Sequence, residues 1–202
     1  MPKPSFIRPI EIDHPRRVLI QRLAALPLVG LSALAAAQTP AKKGTPSMDD
    51  LKTIETGWKS LLAPDAKIAT TTEPLKRSVE EWRKALTPAS FDVLRQDGTE
   101  RPGSSPLNGE KRAGVFVCAG CDLPLFTSAM KFESGTGWPS FFTAIPGNVG
   151  TKRDFKLFLP RTEYHCVRCE GHHGHLFNDG PAPSGLRYCN NGVALRFIPK
   201  VA

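Results

Sequence analysis

Five cysteines stand in this 202-residue chain, and four of them form two C-x-x-C pairs, Cys118 with Cys121 and Cys166 with Cys169. A two-residue spacer turns both sulfurs of a pair to the same side of a tight turn, so two such knuckles can hold one Zn²⁺ tetrahedrally. Gly120 suits that geometry in the first turn. The 44 residues between Cys121 and Cys166 mean that a shared ion would clip together two distant loops. Four thiolates leave no open coordination position, so the expected ion is structural. Two other chemistries fit the same count. Each pair could be a separate dithiol couple, although neither follows a strand and opens a good helix, or the four could form two disulfides in an oxidising compartment.

Cys189 is left over. An unpaired cysteine is either an apolar filler or a reactive thiol. If its neighbourhood is a strand, Arg187 and Asn191 lie two residues to either side on the same face, and a nearby cation favours thiolate over thiol. Upstream, His172-His173-Gly174-His175 brings imidazoles that can donate protons near neutral pH.

The elements that must position these groups are short. Ser47 can cap a small helix, with Asp49 and Asp50 in its first turn and Leu51, Ile54, Trp58 and Leu61 at helical spacing. Residues 63–73 are loop-like. Ser78 and Glu81 form a capping box, and Val79, Trp82 and Leu86 share a face. Thr87-Pro88 starts another helix, which Gly98 after Asp97 ends. From Val115 onward the expected elements are strands: Val115–Cys118, Phe155–Leu159, Tyr164–Val167, Gly185–Cys189 and Val193–Ile198. The 19 prolines and 17 glycines favour this turn-rich, mainly β reading.

The formal charge is +8. Residues 1–37 supply +3 of it, and the remaining +5 is scattered, with no basic run that would track a phosphate backbone. Nucleic acid is not an expected partner. Arg16-Arg17 precede an apolar run, Leu23–Ala37, that closes with Ala35 and Ala37 at the spacing of a signal-peptidase site. Residues 1–37 are therefore expected to be a twin-arginine-like export signal and the destination periplasmic. The alternative is a retained membrane anchor, although 15 apolar residues are short for a bilayer span. The expected organisation is signal 1–37, linker with a possible short helix 38–76, and domain 77–200.

From Ser78 to Pro199 the chain resembles the methionine-R-sulfoxide reductases. The resemblance rests on EEWRKALTPASFDVLRQDGTERP (Glu80–Pro102), GVFVCAGCDLPLF (Gly114–Phe126), KFESGTGWPSFF (Lys131–Phe142) and HHGHLFNDGPAPSGLRYCNNGVALRFIP (His172–Pro199). It implies a compact domain of two antiparallel sheets with a short helical lead-in and one structural zinc. It makes Cys189 the catalytic cysteine and His172, His175 and Asn191 its polar companions. Trp138 and Phe177 are then substrate-contacting aromatics, and Arg187 and Asp179 supporting polar groups. The implied substrate is oxidised methionine in proteins or peptides. A thiolate attacks the sulfoxide sulfur, an imidazolium protonates the departing oxygen, and the cysteine is left as a sulfenic acid. Many members resolve that acid with a second cysteine in the loop before the tryptophan, where this chain has Thr136. The reductant is then an external thiol or a thioredoxin-like donor, and the protein a monomer. A competing reading is a zinc-clipped binding module, which has no need of Cys189 and its histidines.

Overall fold

The computed structural model describes residues 47–155 and 160–200. The expected export signal lies outside the described residues. Helices α1 (Met48–Thr56), α2 (Val79–Ala85) and α3 (Pro88–Gln96) come first, and nine strands follow. Each helix starts where side-chain oxygens satisfy its first amides. Ser47 accepts from Asp50 N–H, Ser78 from Glu81 N–H and Thr87 from Ser90 N–H, and the first two are reciprocal capping boxes. α3 ends on Asp97, which takes the left-handed conformation itself at φ 54°, rather than on Gly98.

The strands make two antiparallel sheets. The smaller has the order β2 (Pro124–Thr127), β1 (Gly114–Cys118), β9 (Leu195–Pro199). The larger runs β3 (Lys131–Phe132), β4 (Ser140–Phe141), β8 (Arg187–Asn190), β7 (His172–Phe177), β6 (Arg161–Cys166), β5 (Val149–Asp154). Two antiparallel sheets with few helices agree with the expected architecture. The sheets close on an aromatic core. Phe126 stacks on Phe141 at 4.1 Å, with Phe116, Tyr164 and Tyr188 edge-on around them.

The strand expected at Phe155–Leu159 differs from the structure. Phe155 belongs to no strand, and 156–159 lie outside the described residues; the strand here is β5, one step earlier. β5 is an edge strand with Thr151, Lys152 and Arg153 exposed, so it shows no run of apolar residues. β7 is not among the expected strands, its two buried histidines hiding its strand character.

Residues 47–76, expected to be linker, lie against the domain. Leu51 is buried, and Ile54, Trp58, Ala69 and Leu75 pack on the main core. The Ala69 N–H donates to Asp122 O at 2.9 Å and the Leu75 N–H to Arg168 O at 2.7 Å. Among the described residues no helix is long and apolar enough to cross a membrane.

Candidate active site and metal centre

The two knuckles have the same backbone. In the first, Asp122 N–H donates to Cys118 O (2.9 Å) and Cys118 N–H to Leu123 O (2.8 Å). In the second, Glu170 N–H donates to Cys166 O (2.8 Å) and Cys166 N–H to Gly171 O (3.0 Å). The residue after each second cysteine is left-handed, Asp122 at φ 59° and Glu170 at φ 57°. β1 ends in the first knuckle and β6 in the second, which brings the four sulfurs together in the core.

All four sulfurs lie within 4.8 Å of one another and are buried. The nearest pairs cross between knuckles, Cys118–Cys169 at 3.6 Å and Cys121–Cys166 at 3.5 Å. An Sγ–metal distance of about 2.3 Å in a tetrahedron requires sulfurs about 3.8 Å apart, whereas a disulfide needs about 2.05 Å. The donor set thus fits one metal ion and not two disulfides. Mutual hydrogen bonds, led by the one with Cys118, hold the Cys121 thiol far below its ordinary range, and the same contact pushes Cys118 up. Such a cluster retains negative charge that a divalent cation would neutralise. His173 Nε2 lies 3.4 Å from Cys118 Sγ. Burial holds the His173 pKa down to about 3, so this imidazole is neutral and can donate its N–H to the sulfur.

The second constellation lies on the other face of β7. Cross-strand partners place side chains on the same sheet face. Ser140 pairs with Cys189, Cys189 with His175, His175 with Glu163 and Glu163 with Lys152, so one row of side chains crosses five strands. Two-residue periodicity adds Arg187 on β8, Phe177 on β7 and Arg161 on β6 to that face. His172 and His175 are three residues apart, which in a regular strand would send them to opposite faces. The β6–β7 pairing shifts register: Gly174 opposes Tyr164 and His172 opposes His165, with His173 the extra residue. This bulge turns His173 to the cysteine cluster and restores His172 to the face of His175. The two rings meet edge-on at 5.5 Å.

Thr99, Trp138, Arg161, Gly174, His175, Phe177, Cys189, Asn190 and Asn191 line a cleft of about 140 Å³. Of the expected site residues, Cys189, His175, Asn191, Trp138 and Phe177 therefore reach the cleft. His172 lies behind it, buried, with Nδ1 3.0 Å from Glu163 Oε1, and Lys152 Nζ lies 3.0 Å from the same oxygen. Arg187 and Asp179 form a bidentate pair at 2.8 and 2.9 Å, and the guanidinium stacks over Phe177 at 4.3 Å. Asn191 is fixed at both ends: Oδ1 accepts from Glu100 N–H (2.9 Å) and Nδ2 donates to His173 O (3.0 Å). Trp138 Nε1–H donates to Glu100 O (3.1 Å), so the Glu100 backbone holds both walls of the cleft.

Burial pushes the Cys189 thiol up. Arg187 pulls it down, as do hydrogen bonds from Thr136 and Arg187, without reversing the effect. The expectation that Arg187 alone favours the thiolate therefore underweights desolvation. His175 is held below its ordinary value by burial, which its hydrogen bond to the Asp154 carboxylate partly offsets. A neutral imidazole thus stands across the strand pair from a protonated thiol. The sequence reasoning missed Asp154, Glu163, Arg161 and Glu100. None belongs to a short motif with Cys189: Asp154, Glu163 and Arg161 come to the site through the register of β5 and β6, and Glu100 through its backbone bonds to Asn191 and Trp138.

Comparison with known proteins places this geometry. Residues 86–199 match the SelR domain family. The peptide methionine sulfoxide reductase MsrB of Bradyrhizobium diazoefficiens is 49% identical over 138 residues, 68% of this chain and 99% of that protein. The protein of the same name from Methanosarcina barkeri is 53% identical over 124 residues, 61% of this chain and 87% of its own length. That of Pseudomonas putida is 48% identical over 129 residues, 63% of this chain and 97% of its own. Among solved structures, the Mis18 'Yippee-like' domain overlaps 43% of this chain and 96% of its own, with 19% identity and a TM-score of 0.34.

Proposed function

The chain belongs to the SelR-domain family of peptide methionine sulfoxide reductases, and from that premise we propose that it reduces the R epimer of methionine sulfoxide in peptides and proteins through Cys189. The observation that carries this reading is the cross-strand pairing of Cys189 with His175 in a cleft walled by Trp138 and Phe177.

Burial keeps Cys189 protonated at rest and His175 neutral. As the substrate sulfur approaches, His175 takes the thiol proton and the thiolate attacks that sulfur. The imidazolium so formed returns the proton to the sulfoxide oxygen. The hydroxyl then passes from the substrate sulfur to the Cys189 sulfur as the substrate S–O bond and the transient sulfur–sulfur bond break, so the substrate departs as a thioether and Cys189 ends as a sulfenic acid bearing the original thiol proton. This revises the expected sequence, in which the imidazolium donor exists beforehand. Trp138 and Phe177 offer flat apolar surfaces to the methyl group, which fixes the direction of the oxygen and so selects the epimer. Asn191 has both polar ends committed, so its part is to hold the cleft rather than to transfer protons. His172 supports the row from behind.

Thr136 donates to the Cys189 sulfur and leaves no thiol beside it. The sulfenic acid is then reduced from outside, by a small thiol or a thioredoxin-like protein. The four knuckle cysteines would hold one structural Zn²⁺, which would tie the ends of β1 and β6 together and so fix the strand that carries His172 and His175. The paired arginines and apolar run of residues 1–37 support export to the periplasm after folding and metal loading. The test is turnover of separated R and S sulfoxides under excess dithiol. Reduction of R and not S supports the reading, and reduction of neither refutes it.

A further inference from the structure

We propose that Asp154 is the positioning residue of this site, holding His175 by Nε2 so that Nδ1 is the nitrogen offered to Cys189. The inference rests on Cys189 being the nucleophile. His175 Nε2 lies 2.7 Å from Asp154 Oδ2. Asp154 is buried, at 6% exposure, at the last position of β5 and directly opposite Arg161. Arg161 Nη2 donates to the same Oδ2 at 2.7 Å. The carboxylate is thus fixed from two sides, one of them a fixed positive charge that also lines the cleft.

A carboxylate accepts and does not donate, so the nitrogen facing it carries the hydrogen. In the neutral ring the lone pair then lies on Nδ1, and that pair can take the thiol proton. Once His175 has taken it, the adjacent anion stabilises the imidazolium until the proton passes to the sulfoxide oxygen. Nucleophile, base and a third group that orients the base form the general arrangement for activating a weak nucleophile. Here the three come from β8, β7 and β5. Other charged and titratable groups surround His175: Lys152 on β5, Arg161 and Glu163 on β6, His172 on β7, Cys189 on β8, and Asp97 at the end of α3 near Glu163 and His172. Among the described residues, Asp154 is the one in hydrogen-bond contact with the ring.

The test is a double-mutant cycle of Asp154→Asn and His175→Ala, with kcat and KM measured across pH under fixed dithiol. Asp154→Asn is expected to lower kcat by about 10²-fold, the scale of a positioned proton-transfer group, with KM nearly unchanged. It should add nothing in the His175→Ala background, since its effect passes through that ring. Its acid limb should also move to lower pH, because the asparagine no longer favours the charged ring. A packing defect would move neither the limb nor the coupling. If Asp154→Asn fails to hold metal or fold, Asp154→Ser takes its place, offering a hydroxyl without charge. A further tenfold loss in the double variant, or an unmoved acid limb, overturns the proposal. Cys189→Ser is run alongside: turnover surviving there contradicts the nucleophile reading itself, whereas additive losses with Cys189 essential contradict only the role of Asp154.

Discussion

Adding one methyl group at Gly174 would strike the reacting strand. A Cβ built there lies 1.9 Å from the backbone oxygen of Cys189 and 3.1 Å from its carbonyl carbon. Real contacts of this kind stay beyond 3.0 Å, so the two backbones must part by about 1 Å or more. Both belong to paired strands, β7 and β8, and the displaced atoms are those of the proposed nucleophile and of the residue next to its proposed base. Overpacking of a tight site costs about 1–3 kcal/mol, and a misplacement of about 1 Å at a reacting group costs about 10²-fold in rate. Gly174→Ala should therefore keep its metal, lose stability on that scale, and fall about 100-fold in kcat/KM on the R sulfoxide. The assay is sulfoxide turnover under dithiol beside thermal unfolding and metal content. Turnover within twofold of wild type, at unchanged stability, would refute the reasoning, because the strand pair would then not set the position of Cys189.

Other outcomes follow from the same geometry. Arg187 lowers the pKa of a thiol that burial raises; Arg187→Gln should raise it further, so Cys189 alkylation near pH 8 slows and recovers at higher pH, as rates across pH will show. Chelating the proposed zinc should leave four buried sulfurs without a cation and loosen the His173 contact with Cys118; loss of near-ultraviolet circular dichroism together with activity is expected. The backbone bonds from Ala69 and Leu75 reach one knuckle loop each. Proline at both positions removes the two donors and should speed zinc loss to a chromogenic chelator, about 10-fold, at two bonds of about 0.5–1.5 kcal/mol each.

Much of the site was legible because its signals are local. The knuckles need only their two-residue spacing, and the Ser47, Ser78 and Thr87 caps need only the three residues that follow. Cys189 and the histidines stood out by residue type. What could not be read was register. Asp154 and Glu163 come beside the histidines only through strand pairing, and β5 carries no apolar pattern because its edge faces solvent. The β7 bulge was equally hidden: His172 and His175 read as a pair, yet a regular strand would have split them, and only the paired strand β6 shows how His173 is turned out of phase. Residue type also misled on energetics. Arg187 next to Cys189 points to a thiolate, but the depth of the thiol is a property of the packed sheet. Asn191 carries a similar lesson, since its side chain is spent on the Glu100 and His173 backbones.

Reaction of the protein with one equivalent of methionine-R-sulfoxide in the absence of any reductant tests the central claim most directly. Wild type should release close to one methionine per chain and become trappable by dimedone at Cys189, while Cys189→Ser, with its metal intact, should release none. Methionine formed by the serine variant, or none formed by wild type, would contradict the account.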